Sequence, residues 1–305
     1  MSSKPLIVKN LSKSFKKKTI IDDLSFELDK GKIYGFLGPN GAGKTTTIRM
    51  LVSLLHADKG EIIVNGANMK TERNKALSNI GAVVENPEMY NLMSGLENMQ
   101  HFSRMHTPKI SRERINELVS FVELEKAITD KVKTYSLGMK QRLGIAQALL
   151  HKPSILILDE PTNGLDPKGI RELRSYLRTL ADEEGVTVLV STHLLSEAEM
   201  MCDEVLIIQD GKFVKQFSMT DSSKSEQQKV KALFRATSNA DLIPILEEYG
   251  RVEEDKKYIT LSGIEQDQIP TIIKAATDRG ILLYEVILKD TLEDQFLELT
   301  GGEDA

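Results

Sequence analysis

The rhythm of apolar and polar positions changes several times along the chain, and each change marks an element. Leu6-Ile7-Val8 and the alternating Leu24-Ser25-Phe26-Glu27-Leu28 predict two strands of an N-terminal β-layer. The turn Asp29-Lys30-Gly31-Lys32 then leads into a short, wholly apolar strand, Ile33-Tyr34-Gly35-Phe36-Leu37. Thr45 to Leu55 carries a helical pattern, Gly60 to Gly66 a strand ending in an Asn-Gly turn, and Ile80 to Val84 a buried strand ending at Glu85. From about Met93 to Leu150 the period is helical: Ser94-Gly95-Leu96-Glu97 forms a capping box, and Ile115, Leu118, Val119 and Val122 share one helix face. Strands return at Ser154 to Leu158 and Val186 to Val190, separated by a helix to about Ala181, and Asp203 to Phe217 reads as a hairpin around Asp210-Gly211.

After Phe217 the pattern starts afresh. Asp221 to Gln228 is polar and predicts a linker, beyond which Val230 to Phe234, Asp241 to Tyr249, Tyr258 to Leu261, Gln268 to Asp278 and Ile281 to Leu288 read as β-α-β-α-β. Thr291-Leu292-Glu293-Asp294 predicts a helix cap followed by the apolar stripe Leu292, Phe296 and Leu299, with Gly301 to Ala305 frayed. The expected organisation is two domains, 1–220 with a helical subdomain at about 86–150, and 221–305 comprising the linker and a small α/β accessory domain.

Composition narrows the setting. With 40% hydrophobic and 28% charged residues, the 305-residue chain has the balance of a soluble globular protein. It has no run of about 18 apolar residues, and Met1-Ser2-Ser3-Lys4-Pro5 lacks the apolar core of a signal peptide, so a cytoplasmic location is expected. The single cysteine, Cys202, cannot close an internal disulfide and is expected to be a buried small hydrophobe. A net charge of −5 speaks against a protein that coats nucleic acid.

Chemistry concentrates at a few strand ends. The strand Ile33 to Leu37 empties into Gly38-Pro39-Asn40-Gly41-Ala42-Gly43-Lys44-Thr45-Thr46, a glycine-rich loop that opens a helix. In that context glycines let backbone N–H groups converge on phosphate, Lys44 reaches the outer phosphates, and the Thr45 hydroxyl holds Mg²⁺ against them, so a nucleoside triphosphate is the expected ligand. The apolar strand before Asp159-Glu160 delivers two adjacent carboxylates that must point in different directions; Asp159 suits the metal shell and Glu160 the activation of an attacking water. Glu85 and His193 also follow buried strands, where ligands gather in α/β sheets. Phe15, within Lys13 to Lys18, is as readily part of a solvated turn as a ring on which adenine stacks. Ser136 and Gly138, within Ser136-Leu137-Gly138-Met139-Lys140-Gln141, begin a helix and taken alone suit either a cap or an anion. His56, His101, His106 and His151 show no metal-ligand spacing and are expected on helix surfaces.

The ordered set from residue 6 to about 217 resembles the ATP-binding subunits of ABC transporters. Gly38 to Thr46 looks like the family's Walker A, Ile155 to Glu160 its Walker B, Gly164-Leu165-Asp166 its D-loop and His193 its switch histidine, while Phe15 takes the adenine-stacking position. Ser136 to Gln141 is similar to the signature motif, with Leu137 where the family usually has a glycine and Met139 where it often has glutamine. Glu85 replaces the usual glutamine, as in the branch associated with bacitracin resistance and lantibiotic self-protection, and would join Thr45 and Asp159 around Mg²⁺. The resemblance implies an α/β P-loop NTPase fold of ABC type with an N-terminal antiparallel β-layer, a helical subdomain and a small C-terminal α/β domain. It further implies ATP and Mg²⁺, catalysis through Glu160 and His193, and a nucleotide-dependent homodimer in which Ser136, Leu137, Gly138, Met139, Lys140 and Gln141 act in trans. The partner would be a separate transmembrane permease that holds the chain on the inner membrane face, with peptide antibiotics or other drugs exported and no nucleic acid bound. A soluble ABC-type ATPase acting on nucleic acid or ribosomes is the alternative, although such proteins generally pair two ATPase units or carry a long coiled-coil insertion; a non-hydrolysing regulatory module fits poorly with Glu160 and His193 both present.

Overall fold

The computed structural model describes residues 4–16, 18–219, 229–255 and 257–289. The chain divides into two compact units, Met1–Met219 and Thr220–Ala305. The first opens with β1 (Leu6–Phe15) and β2 (Lys18–Leu28), followed by β3 (Ile33–Leu37), α1 (Lys44–Leu51), β4 (Lys59–Val64), β5 (Ala67–Asn68), α2 (Arg73–Leu77) and β6 (Ile80–Val83). The helical stretch contains α3 (Gly95–Ser103), α4 (Arg112–Phe121) and α5 (Leu137–Ala148), after which come β7 (Ile155–Asp159), α6 (Pro167–Asp182), β8 (Thr187–Thr192), α7 (Leu195–Met201), β9 (Glu204–Gln209) and β10 (Lys212–Ser218).

Two sheets organise this unit. An antiparallel sheet runs β2-β1-β4-β5, and a six-stranded sheet runs β10-β9-β3-β8-β7-β6, in which every neighbour pairing is parallel except β9 with β10. The parallel strands are buried on both faces, as the unbroken apolar runs of β3 and β7 require. One core joins the layers: Leu6, Val8, Leu24 and Phe26 pack with Ile48 and Met50 of α1 and with Phe36, Ile157 and Leu206 of the parallel sheet. Because parallel strands point the same way, β3, β7 and β8 end together, with Leu37 beside Thr192 and Asp159 beside Ser191. That shared edge is where an open α/β sheet places its ligand.

Several local readings are corrected. Lys13 to Phe15 are not a turn but the end of β1, with Phe15 paired to Lys18 across the hairpin. The helix expected to reach Leu55 stops at Leu51, where Ser53 at φ 58° turns the backbone left-handed and the amides of Leu54 and Leu55 fall back on the Arg49 carbonyl. The capping box at Ser94 and Glu97 is present, and Ile115, Leu118, Val119 and Val122 are all buried. Of the histidines, only His101 lies on a helix. His151 follows α5, its Nε2 3.0 Å from the Ile80 carbonyl oxygen, and its ring stacks on His106 at 4.7 Å. Burial lowers the pKa of both. Cys202 is buried as expected, its thiol pushed up to about 12 by burial.

The second unit contains β11 (Lys229–Ala236), α8 (Asn239–Leu246), β12 (Arg251–Glu254), β13 (Ile259–Glu265), α9 (Ile269–Asp278) and β14 (Leu283–Lys289). The sequence pattern missed β12, whose residues Arg-Val-Glu-Glu offer a single apolar position. Its presence makes the order βαββαβ with an antiparallel sheet β12-β13-β11-β14, a split βαβ arrangement. Phe234, Leu242, Ile245, Ile259, Leu261 and Ile272 form its core, separate from that of the first unit. The predicted linker Asp221 to Gln228, the cap at Thr291 to Asp294, the Leu292, Phe296 and Leu299 stripe and the end at Gly301 to Ala305 lie outside the described residues. Among the described residues, no helix is long and apolar enough to cross a membrane.

Candidate nucleotide site

The glycine-rich loop Gly38 to Gly43 joins the end of β3 to the start of α1. Two of its glycines are dictated by their surroundings. At Gly38 a Cβ would lie 2.3 Å from the Ile208 carbonyl oxygen, and Gly43 combines φ 105° with a position where a Cβ would lie 2.4 Å from Ile21 Cδ1. The loop is braced from within by the Ala42 amide donating to the Pro39 carbonyl at 3.1 Å, and from outside by the Gly211 amide donating to the Ala42 carbonyl at 3.0 Å. Lys44, only 5% exposed, folds its ammonium back over the loop and donates to the carbonyls of Gly38 at 2.7 Å and Pro39 at 3.3 Å. Thr45 and Thr46 follow it in the first turn of α1, both half-buried.

Facing Lys44 are the two carboxylates at the end of β7. Asp159, 2% exposed, accepts a 2.6 Å hydrogen bond from Ser191 Oγ. The same hydroxyl accepts from the Glu160 amide at 2.9 Å, so one serine on β8 fixes both residues. Glu160 leaves the strand at φ 45°, which separates its carboxylate from that of Asp159. Glu160 Oε1 lies 3.5 Å from Lys44 Nζ, while Oε2 accepts from Asn163 Nδ2 at 2.6 Å and stands 3.6 Å from His193 Nδ1.

The two partners of the ion pair shift the same way for different reasons. Burial lowers the Lys44 pKa and outweighs the opposing charge and hydrogen bond of Glu160. Burial would raise the Glu160 carboxyl, but the Asn163 hydrogen bond and the charge of Lys44 hold it below 4.5, so it is ionised at neutral pH. Oxygen-only donors such as the Thr45 hydroxyl and the Asp159 carboxylate suit a hard cation, and their positions on adjoining elements fit Mg²⁺.

Other expected site residues lie around this cluster. Glu85, two residues beyond β6 and at φ 62°, stands at the same sheet edge, but its carboxylate pairs with the guanidinium of Arg49 on α1. Phe15 ends the β1–β2 hairpin, 47% exposed, with Lys13 Nζ 5.5 Å from its ring centre. Ser136 caps α5, its Oγ accepting from the Met139 amide, and Asp166 caps α6 by accepting from the Gly169 amide at 2.7 Å. These two helix starts line a common cavity of about 420 Å³ together with Leu137, Gly138, Gln141 and Lys168. Ser191 and Asn163 were missed in the sequence. Ser191 is betrayed only by its register opposite Asp159, which becomes visible once β7 and β8 are paired.

Residues 21–163 match the ABC transporter family. The uncharacterized ABC transporter ATP-binding protein YhcH of Bacillus subtilis (strain 168) is 46% identical over 301 residues, covering 97% of this chain and 96% of that protein. The bacitracin transport ATP-binding protein BcrA of Bacillus licheniformis is 36% identical over 303 residues, covering 96% of each. Among solved structures, an ATP-binding subunit of an ABC transporter shares 29% identity at a TM-score of 0.64, covering 71% of this chain and 90% of that chain. A dimeric ATP-binding cassette in a post-hydrolysis state, bound to ADP and Pi, shares 26% identity at the same TM-score of 0.64, covering 70% and 98%. A glycine-rich loop, a carboxylate pair two strands away across β8 and kinship along nearly the whole chain lead to one assignment: the chain belongs to the ATP-binding proteins of ABC transporters.

Proposed function

We propose that the chain hydrolyses ATP to drive an exporter of peptide antibiotics or related drugs, pairing with a second copy of itself and with a separate transmembrane permease on the inner membrane face. The observation that carries this reading is the cluster of Lys44, Asp159, Ser191, Glu160 and His193 at one sheet edge. The loop amides and Lys44 bind the phosphates, and Thr45 and Asp159 hold Mg²⁺, which offsets charge on the phosphate oxygens. Phe15 offers its exposed ring to the base. Glu160, already ionised, takes the proton of the attacking water, with Asn163 fixing its carboxylate and His193 facing it at 3.6 Å.

Residues 1–220 form the ATPase domain with its helical subdomain at about 86–150, and 221–305 contain the accessory domain. In trans, Ser136 to Gln141 and Asp166 close over nucleotide held by the other copy. The exported class rests on kinship: relatives include bacitracin transport BcrA, the linearmycin resistance ATP-binding protein LnrL of Bacillus subtilis, 34% identical, and the lantibiotic transport protein SrtF of Streptococcus pyogenes, 40% identical over 222 residues. Glu160→Gln should lower turnover by roughly 10²- to 10⁴-fold, the span of a general base, while MgATP still binds. A variant that hydrolyses at the wild-type rate would remove Glu160 from the mechanism.

A further inference from the structure

Glu197 lies on α7 and belongs to none of the motifs above. Its carboxylate is nevertheless bonded to the loop that follows Glu160 and to the last residue of β8, just before His193. Oε2 accepts the hydroxyl of Thr162 at 2.8 Å and the hydroxyl of Thr192 at 2.8 Å. Thr162 stands two residues after Glu160, Thr192 immediately before His193, and both threonines are 4% exposed. The bonds continue on either side. Thr192 Oγ1 accepts from the Leu194 amide at 3.1 Å, so the backbone is tied on both flanks of His193. On the other loop, the Thr162 carbonyl accepts from the Leu165 amide at 3.0 Å and the Glu160 carbonyl from the Asn163 amide at 3.2 Å, closing the turn that aims Asn163 at Glu160.

We infer that Glu197 is a positioning residue for hydrolysis: one carboxylate oxygen, bridging Thr162 and Thr192, sets the separation between Glu160 and His193. This rests on the ATPase reading. The two loops follow different strands, and the Ser191 bonds fix only their bases. His193 Nδ1 lies 3.6 Å from Glu160 Oε2, beyond hydrogen-bond length, and is buried without a bonded partner, so a small change in loop separation decides whether the two rigidly face each other. A hydroxyl donating to a carboxylate is a strong, short bond, and two such bonds converging on one oxygen leave little freedom in either loop.

The test uses the full chain. Glu197→Ala should reduce kcat by roughly 10- to 100-fold, the scale of a displacement near 1 Å in a reacting group, with KM for MgATP moving less than about threefold. Glu197→Gln should recover most of that loss, since an amide oxygen also has two lone pairs for the two hydroxyls. In a His193→Ala background, Glu197→Ala should cost less than about threefold more, because the residue it positions is gone. A Glu197→Ala protein with wild-type kcat, an equal change in KM, or the full loss persisting without His193 would each overturn the inference. If Glu197→Ala fails to fold, Thr162→Val and Thr192→Val break one bond apiece and should each give part of the kcat loss; wild-type rates in both would overturn it. Side-chain NMR of His193 separates this idea from the ATPase reading: one narrow ring signal in wild type and Glu197→Gln, broad or multiple signals in Glu197→Ala. Unchanged His193 signals would overturn the positioning role, whereas absent turnover in the wild type would count only against ATP hydrolysis.

Discussion

The phosphate-loop cluster and the helix starts at Ser136 and Asp166 differ in how far one chain completes them. At the sheet edge, polar atoms are aimed at one another: Lys44 at Glu160, Ser191 at Asp159, Asn163 at Glu160. At the helix starts, Ser136 and Asp166 turn inward to cap their own helices, while Leu137 remains 44% exposed beside a wide cavity. The first group is made by topology, since parallel strands ending together place their last residues side by side. The second is a surface, and a surface acquires chemistry only from what docks on it. Such an asymmetry is what each half of a composite site would show when two copies share it.

The contrast can be broken most forcefully at Lys44. Lys44→Ala removes the buried ammonium over the loop and should weaken ATP affinity by roughly 10- to 100-fold, the scale of ~1.5–3 kcal/mol for hydrogen bonds to charged groups. Calorimetry showing unchanged affinity would mean that the sheet edge is not the nucleotide cradle. Gly138→Ala sharpens the other side. A Cβ there would have ordinary clearance, 3.6 Å from Leu165 Cδ2, so the isolated chain should fold and bind ATP normally. If Gly138 meets a partner's nucleotide, the same methyl should weaken ATP-dependent dimers of the Glu160→Gln protein by about tenfold, on the scale of one lost close contact. Sedimentation with no difference between the two dimers would argue that Gly138 faces solvent in every state.

Glu85→Gln should change ATP affinity by less than about tenfold, because the carboxylate is solvated and already matched by Arg49. A larger loss of affinity would put Glu85 in the metal shell; a stronger effect on drug protection in cells containing the permease than on binding would make it a coupling residue. The smallest effect concerns neither group. His106 and His151 are held below 6.5 by burial, with His106 adding to the effect on His151. The unfolded chain therefore binds more protons near and below that pH, so the stack stabilises the fold above it and that contribution is lost as pH falls. Melting temperatures compared between about pH 7.5 and 5.5 should fall less for His151→Gln than for wild type, with turnover at neutral pH unaffected.

The sequence made legible whatever depends on local pattern. Unbroken apolar runs revealed β3 and β7, glycines followed by Lys44 revealed the loop, and the Ser94 box revealed the start of α3. What it hid depends on register and side-chain direction. Ser191 is one serine among many until β8 lies beside β7, and Glu85 could be placed at its strand end but not turned toward Arg49. β12 hid for another reason: as an edge strand it buries only one side chain in part, so no periodicity marks it.

The tip of the β9–β10 hairpin has a consequence for ligand capture. Gly211 donates to Ala42 and accepts from the Asp22 amide at 2.9 Å, in a space where a Cβ would lie 2.0 Å from the Ile20 carbonyl oxygen. Through Gly211 the phosphate loop is thereby tied to the backbone of β2 at Asp22. Ordering a free loop costs about 1–2 kcal/mol of backbone entropy per residue, and here folding has already imposed that order. An incoming triphosphate would meet a loop whose shape its neighbours already hold, with the Lys44 ammonium lying over the carbonyls of Gly38 and Pro39.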